Sequence, residues 1–489
     1  MNTMKWTQAA RYRPYQEWSE EYVKDLKRKV TASKWRLNYH VQPETGLLND
    51  PNGFSYSNGK WHLFYQSFPF GAIHGLKSWF HITSKDLVHW EVEGPALEPD
   101  SVYDSHGVYS GSAIPVEEKL FLAYTGNVRD ETWERHSYQL GAWMNNNGTV
   151  TKLEIPLISA PPLGYTAHFR DPQIIQYEDE YLMVIGGQTN DEKGNILIYR
   201  SQNLIDWTYR GPLALNQDLG FMVECPNLLF IDGKVALLLC PQGMDKSVLE
   251  YQNVYPNTYI LAEDYIIEEN RLEHPLQQQL LDEGFDLYAT QAFNAPDGRC
   301  LSVGWIGLPE MDYPTFNEGW AHSLSLIKEL TLKKGKLYQY PVAETKQLRK
   351  TKETFILEPT EQLRKTTNNC YELQLTIPKN SHGEIHLFSD KTDMYALILS
   401  YDTEEGKLQL DRRNTHYPLN PAFGEIRESL VAPSEAMRLS IFVDQSTCEI
   451  FINHGERVLT ANYYPEENQK ELVVKGTKNI SITYYSLEK

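Results

Sequence analysis

Residues 58–65 of this chain have the sequence NGKWHLFY, a glycine-containing turn followed by a basic residue and an apolar run. Such a turn beside an apolar segment predicts a β-hairpin. An acidic or glycine-containing turn, usually with a basic residue, precedes an apolar run four more times, as EEKLFL (117–122), EDEYLMV (178–184), DGKVALL (232–238) and DGRCLSV (297–303). The copies follow one another at intervals of roughly 60 residues, and a near-constant period of this length predicts a five-bladed β-propeller with about four strands per blade.

The two ends of the chain have a different pattern. Residues 6–30 place Tyr22, Leu26 and Val30 on one face of a predicted helix. Beyond a charged stretch near residue 345, alternating segments such as ELQLTI (372–377) predict a β-sandwich. We therefore expect an all-β protein: a five-bladed propeller followed by a C-terminal sandwich, with a short N-terminal helix. The expected domains are a helical extension (1–32), the propeller (33–345) and the sandwich (353–489).

A short segment precedes each repeated turn at a similar distance, and three of the five segments contain a carboxylate. Eight to ten residues before each turn, the five copies read NDP (49–51), SGS (110–112), RDP (170–172), ECP (224–226) and TQA (290–292). If the repeats are blades, these positions are related by rotation and converge at one end of the central axis. Asp50, Asp171 and Glu224 would then meet there, and converging like charges favour an active site.

Each motif has a simpler explanation when it is taken alone. The segment around Asp50 is typical of a turn, and Arg170 with Asp171 is typical of a surface ion pair. A divalent cation bound on the axis would also explain converging carboxylates, although no histidine ligands are evident nearby. The common position in three repeats favours catalysis, because two carboxylates suffice for glycoside hydrolysis. A third carboxylate, paired with Arg170, could hold sugar hydroxyls and stabilise a cationic transition state.

The composition excludes several classes of function. The formal net charge of −19 argues against a nucleic-acid partner, and no apolar run is long enough to span a bilayer. Five scattered cysteines and the lack of an apolar signal-peptide core predict reduced thiols in a cytoplasm. We expect no cofactor and no metal. The same acidity means that a phosphorylated substrate would require a local cationic patch.

Three motifs in this order resemble the family 32 glycoside hydrolases, the invertase and fructanase group: LLNDPNG (47–53), FRDP (169–172) and VECP (223–226). The resemblance covers nearly the whole chain and implies a propeller followed by a sandwich. It also implies that Asp50 is the nucleophile, Glu224 the acid/base and Asp171 a ligand of fructose hydroxyls. Retention of configuration follows, with the nucleophile and acid/base carboxyls about 5–5.5 Å apart.

The resemblance also identifies candidate sugar contacts. They lie in or beside the three motifs and in the segments 63–66, 109–112 and 304–307, and they are Asn49, Gln66, Trp79, Tyr109, Ser110, Arg170 and Trp305. The chain departs from the family pattern at Val223 and at Leu47, where tryptophan is frequent. Aromatic stacking at those two walls is therefore not expected.

Residues 68–79 and 103–108 resemble the intracellular bacterial members of the family that act on sucrose-6-phosphate. The expected reaction gives glucose-6-phosphate and fructose, with free sucrose as an alternative substrate. The phosphate is on the glucose, so its contacts should lie at the rim of the site. Candidates with suitable charge are His74, Lys77, Arg129, Arg135 and His136. A solvated loop of mixed charge explains residues 127–136 equally well.

Three other functions remain open from the sequence. The chain could hydrolyse fructans or fructo-oligosaccharides, it could be an inverting arabinanase-like furanosidase, or it could be a non-catalytic sugar-binding propeller. The anomeric form of the first product separates retaining from inverting chemistry. The expected partner is a small-molecule disaccharide, and the sandwich could also mediate a homo-oligomer.

Overall fold

The computed structural model describes residues 5–359 and 361–489. The N-terminal segment contains helices α1 (Gln8–Arg11) and α2 (Glu20–Thr31). The prediction of one helix over 6–30 is wrong in its middle, because Pro14 cannot continue a helix and Ser19 caps a new one by accepting a hydrogen bond from the Tyr22 amide (3.2 Å). The first four residues of the predicted extension lie outside the described part of the chain.

Five mainly antiparallel sheets follow in chain order. Sheet I contains β1 (Gly46–Ser57), β2 (Lys60–Phe68), β3 (Ser78–Ser84) and β4 (Trp90–Leu97). Sheet II contains β5 (Val108–Val116), β6 (Lys119–Arg129), β7 (Arg135–Met144) and β8 (Val150–Lys152). Sheet III contains β9 (Tyr165–Tyr177), β10 (Glu180–Thr189), β11 (Gly194–Ser201) and β12 (Thr208–Pro212).

Sheets IV and V are less regular. Sheet IV contains β13 (Met222–Ile231), β14 (Lys234–Gln242), β15 (Thr258–Ala262) and β18 (Gln279–Leu280), and the hairpin β16 (Asp264–Ile266) with β17 (Arg271–Glu273) precedes β18. Sheet V contains β19 (Leu287–Asn294), β20 (Cys300–Ile306), β23 (Lys328–Lys333) and β24 (Lys336–Pro341). The short β21 (Trp320–Ala321) runs parallel to β1, and β22 (Ser323–Leu324) pairs with β20. All five predicted turns fall between the first and second strands of these sheets.

The first strands of the five sheets, β1, β5, β9, β13 and β19, are called the inner strands here. Each is hydrogen-bonded to the next between a side chain and the backbone, and the fifth is bonded to the first. The five bonds are Gly111 N to Asn52 Oδ1 (2.9 Å), Ser112 Oγ to Pro172 O (2.9 Å), Leu228 N to Gln173 Oε1 (2.7 Å), Ala292 N to Asn227 Oδ1 (3.1 Å) and Phe54 N to Gln291 Oε1 (2.7 Å). These polar side chains, of which all but the half-buried Gln291 are buried, therefore fix the spacing of the inner strands.

The C-terminal part forms two six-stranded sheets that share one apolar core. The first contains, in spatial order, β25 (Arg349–Leu357), β36 (Ile480–Leu487), β27 (Cys370–Ile377), β32 (Met437–Asp444), β33 (Thr447–Ile452) and β34 (Arg457–Asn462). The second contains β26 (Gln362–Thr366), β35 (Glu471–Gly476), β28 (His382–Ser389), β29 (Leu397–Asp402), β30 (Lys407–Asp411) and β31 (Ile426–Leu430). The predicted sandwich is consistent with this arrangement.

A buried ionic cluster joins the two parts of the molecule. The ring of His40 lies 3.0 Å from Asp444 Oδ2 and 3.1 Å from Glu449 Oε1, and Lys328 Nζ lies 3.4 Å from Glu449 Oε2. All four side chains are almost completely buried. Among the described residues, no helix is long and apolar enough to cross a membrane.

Candidate active site

Every inner strand carries a β-bulge at the same level, where two of its residues face one residue of the second strand. The bulged pairs are Asn49–Asp50, Tyr109–Ser110, Asp171–Pro172, Cys225–Pro226 and Ala289–Thr290. Bulges redirect side chains and are frequent beside active sites. The three carboxylates are in neighbouring positions of this bulge, since Glu224 precedes it, Asp171 is its first residue and Asp50 its second. The shared position predicted from the sequence therefore holds to within two residues.

The bulges of the third, fourth and fifth inner strands begin with a left-handed residue. The φ angles are +66° at Asp171, +48° at Cys225 and +48° at Ala289. Residues other than glycine rarely adopt this backbone conformation, and such strain concentrates at functional sites. One consequence is visible at Asp171, whose Oδ2 accepts a hydrogen bond from the Cys225 amide (3.0 Å).

Asp50 is held by neutral donors. Its Oδ2 accepts a hydrogen bond from the Ser110 hydroxyl, and its Oδ1 accepts one from Asn49 Nδ2 (3.0 Å). Gln66 completes the network, since its Nε2 donates to Ser110 Oγ (2.9 Å). Burial raises the pKa of Asp50 and the charge of Glu224 adds to this, while the hydrogen bonds and the ammonium of Lys77 act in the opposite direction.

Glu224 is surrounded by stronger donors. Arg170 donates to Oε1 through Nη2 (2.9 Å) and Nε (3.2 Å), while Tyr288 Oη (2.8 Å) and Gln242 Nε2 (2.9 Å) donate to Oε2. The Glu224 side chain nevertheless keeps 20% of its surface exposed, so a ligand can reach it. Burial raises the pKa of Asp171 and outweighs the adjacent Arg170 guanidinium.

The sequence did not identify Tyr288, Gln242 or His168. Tyr288 stands directly before the bulge of the fifth inner strand, so the repeat could have indicated it. Gln242 ends a second strand, and no repeated motif includes it. His168 lies two residues before Arg170 and accepts a hydrogen bond from its Nη1 (3.1 Å).

Two of the predicted sugar contacts are buried tryptophans. Trp79 is completely buried and donates through Nε1 to the Tyr109 carbonyl (2.9 Å). The prediction that it contacts sugar is therefore wrong, because its ring has no free surface and supports Tyr109 instead. Trp305 is 2% exposed and lies against Tyr288 and His322. Its contact with sugar remains a prediction.

The candidate phosphate contacts separate into two groups. Lys77 is 4% exposed and donates to Asn49 Oδ1, so its placement at the rim is wrong. His136 follows Arg135 on one strand and faces the other way, with Nε2 3.2 Å from Asp130. His74 is half-buried, and its carbonyl accepts a hydrogen bond from Arg11 Nε.

Arg129 and Arg135 form the second group, together with His168. Arg135 Nη1 donates to His168 Nδ1 (3.1 Å), and this histidine connects it to Arg170. The described residues contain no group of three or more His, Cys, Asp or Glu side chains placed to hold a metal ion.

Comparison with models of known protein families identifies the class of protein to which the chain belongs. The model for the glycosyl hydrolases family 32 N-terminal domain matches residues 40–341, and that for the family 32 C-terminal domain matches residues 343–486. The chain belongs to this family of glycoside hydrolases.

Comparison with individual relatives shows which members of this family the chain resembles. The chain is 45% identical to a sucrose-6-phosphate hydrolase of Pediococcus pentosaceus, over 97% of this chain and 94% of the relative. It is 46% identical to one from Streptococcus mutans, over 99% of this chain and 100% of the relative. The solved structure of a Lactobacillus gasseri sucrose-6-phosphate hydrolase is 41% identical and superposes with a TM-score of 0.96, covering 99% of both chains.

Proposed function

We propose that this chain is a retaining β-fructofuranosidase that hydrolyses sucrose-6-phosphate to glucose-6-phosphate and fructose. The observation that carries the proposal is that Asp50, Asp171 and Glu224 lie at or directly before the bulges of three inner strands, where the charges of Asp50 and Glu224 help to raise the pKa of Asp171. The similarity to sucrose-6-phosphate hydrolases over the full chain supports the choice of substrate.

Asp50 is the proposed nucleophile. Its Oδ atom attacks C2 of the fructosyl group while the bond from C2 to the glucose oxygen breaks, and Glu224 gives its proton to that oxygen. Glucose-6-phosphate leaves, and a covalent fructosyl–Asp50 ester remains. Glu224 then takes a proton from water, the water oxygen attacks C2, and the ester bond breaks to free fructose and Asp50. Two inversions at C2 give net retention.

The neighbouring residues support this division of roles. Ser110 and Asn49 orient the carboxylate of Asp50 without neutralising it. Arg170 fixes Glu224 on the leaving-group side. Asp171 is proposed to bind fructose hydroxyls and to stabilise the positive charge that develops on the ring.

The architecture and cellular location are part of the same proposal. The five sheets are the blades of a closed propeller spanning residues 33–345, with the sandwich at 353–489, and the cyclic hydrogen bonding of the inner strands supports this closure. All five cysteines are free, which suits a reducing cytoplasm.

The first prediction tests the nucleophile. Asp50→Asn keeps the side-chain shape and removes the attacking charge, so kcat on sucrose-6-phosphate should fall by at least about 1,000-fold. Asp191→Asn, which alters an exposed aspartate paired with Lys193, is the matched control and should leave kcat unchanged.

Proton NMR of the first fructose released by the wild-type protein gives its anomeric form. The β-furanose is expected. An α-furanose as first product, or an active Asp50→Asn variant, would contradict the mechanism.

A further inference from the structure

A chain of contacts leads from Glu224 to further arginine side chains. Glu224 accepts from Arg170, Arg170 donates to His168, and His168 also accepts from Arg135 Nη1 (3.1 Å). Arg129 stands directly opposite Arg135 in the pairing of β6 with β7, and its charge helps to lower the pKa values of Arg135 and His168. We call Arg129, Arg135 and His168 the arginine pocket.

His168 must be neutral in this arrangement. Its Nδ1 receives hydrogens from two guanidinium groups, so this atom carries no proton of its own. Burial lowers the pKa of His168, and the charges of Arg170, Arg135 and Arg129 act in the same direction, so that it falls to about 4. The histidine therefore spaces the arginines and adds no charge.

The two arginines of the pocket lack a compensating carboxylate. Within the described residues neither forms an ion pair, although Asp130 follows Arg129 and Glu134 precedes Arg135 in the chain. Asp130 is already bonded to Thr132 and His136. The Nε atom of Arg129 is buried and has no hydrogen-bond partner there. Half-buried guanidinium groups without counter-charges are costly unless an anion binds to them.

Aromatic rings border the pocket. Tyr12, from the N-terminal segment, packs edge-on against Trp133 (5.2 Å between centroids) and lies 5.8 Å from the His106 ring. Tyr109 contributes to raising the pKa of Tyr12, and it opposes the lowering of the pKa of Arg135 by burial. These rings limit access of water and give a sugar ring apolar surface to pack on.

We propose that the arginine pocket binds the phosphate of the substrate, which is carried on the glucose that leaves. The inference rests on the proposed function and adds the phosphate-binding residues to it. Glu224 protonates the oxygen of the departing glucose, so that sugar lies on the Glu224 side, where the chain of contacts through Arg170 and His168 leads to Arg135. Phosphate oxygens would take the free N–H donors of Arg129 and Arg135.

The test compares two substrates with each variant. Arg135→Gln and Arg129→Gln should lower the ratio of kcat/KM for sucrose-6-phosphate to kcat/KM for sucrose by about 10- to 100-fold, as expected for losing a charge-assisted hydrogen bond. Arg135→Lys should lose less, because it keeps the charge. Arg413→Gln, at an exposed arginine paired with Asp411, is the matched control and should keep the wild-type ratio.

Inhibition provides a second measurement that does not depend on turnover of the phosphorylated substrate. With sucrose as substrate, glucose-6-phosphate should inhibit the wild-type protein more strongly than glucose, and Arg135→Gln should remove this difference. Thermal melting identifies any variant that fails to fold, and Arg129→Gln then serves as the independent test.

The outcomes separate the two proposals. If the wild-type protein does not favour sucrose-6-phosphate over sucrose, the proposed substrate is wrong. If it does, but folded Arg135→Gln and Arg129→Gln keep the wild-type ratio and the wild-type inhibition, the pocket is wrong and the proposed function stands.

Discussion

At the level of single residues, Lys77 lies in a different location from the one predicted from its charge. The sequence indicates a cation near the substrate phosphate, whereas the structure places the ammonium group in the interior against Asn49, which in turn bonds Asp50. Burial lowers the pKa of Lys77 to about 7, and the Asp50 charge partly opposes this. Lys77 is thus a positioning residue that supports the carboxylate of the proposed nucleophile.

Lys77→Met tests this role, because it keeps the length of the side chain and removes its charge. Without the cation the pKa of Asp50 should rise, since its charged form loses a favourable neighbour. The acidic limb of the profile of kcat/KM on sucrose against pH should move up by about one unit or more. Lys193→Met, at an exposed lysine, is the control. An unmoved acidic limb in a folded Lys77→Met protein would show that Lys77 has only a structural role.

At the level of elements, the five hairpins were predictable because turn chemistry and apolar runs are local properties. The helix break at Pro14 was equally local and could have been predicted. The bulges were not predictable, because they depend on pairing between strands, and they determine which side chains point into the site. Burial of Trp79 and Lys77, and the role of His168, follow from this three-dimensional arrangement.

Asn52 connects the first two inner strands, and its removal should affect both stability and activity. It is completely buried, its Oδ1 accepts from the Gly111 amide (2.9 Å) and its Nδ2 donates to the carbonyl of Asp50 (2.8 Å). Asn52→Ala leaves a buried amide unsatisfied, which should lower the free energy of unfolding by about 1–3 kcal/mol. It should also lower kcat, because the bulge at Asp50 is no longer held.

The matched control is Asn294→Ala. Asn294 makes the same kind of bond to the neighbouring inner strand, accepting from Phe230 N (3.0 Å), but it lies at the exposed end. Urea unfolding and kcat should change little in this variant. Equal losses of stability and activity in the two variants would argue against a special role for the bulge.

At the level of the whole molecule, His40 couples the two parts of the chain through charge. Burial alone would lower its pKa, but Asp444 and Glu449 raise it to about 9. The folded pKa lies above the unfolded value of about 6.5. This contribution to stability is therefore fully present below about pH 6.5 and is lost as the pH rises through 9. The pKas of Asp444 and Glu449 are lowered, so their contribution is lost in the acidic range instead.

His40→Gln provides the test of this coupling. Between pH 6.5 and 9 the wild-type protein should lose on the order of 3 kcal/mol of unfolding free energy through this group, measured by urea unfolding with tryptophan fluorescence. The variant should be less stable at pH 6.5, because two buried carboxylates lose a partner, and its stability should depend less on pH across this window. His89→Gln, at an exposed histidine paired with Asp86, should retain the wild-type dependence. If His40→Gln and the wild-type protein lose stability equally between pH 6.5 and 9, His40 is neutral in the folded protein and the two parts are held together by packing.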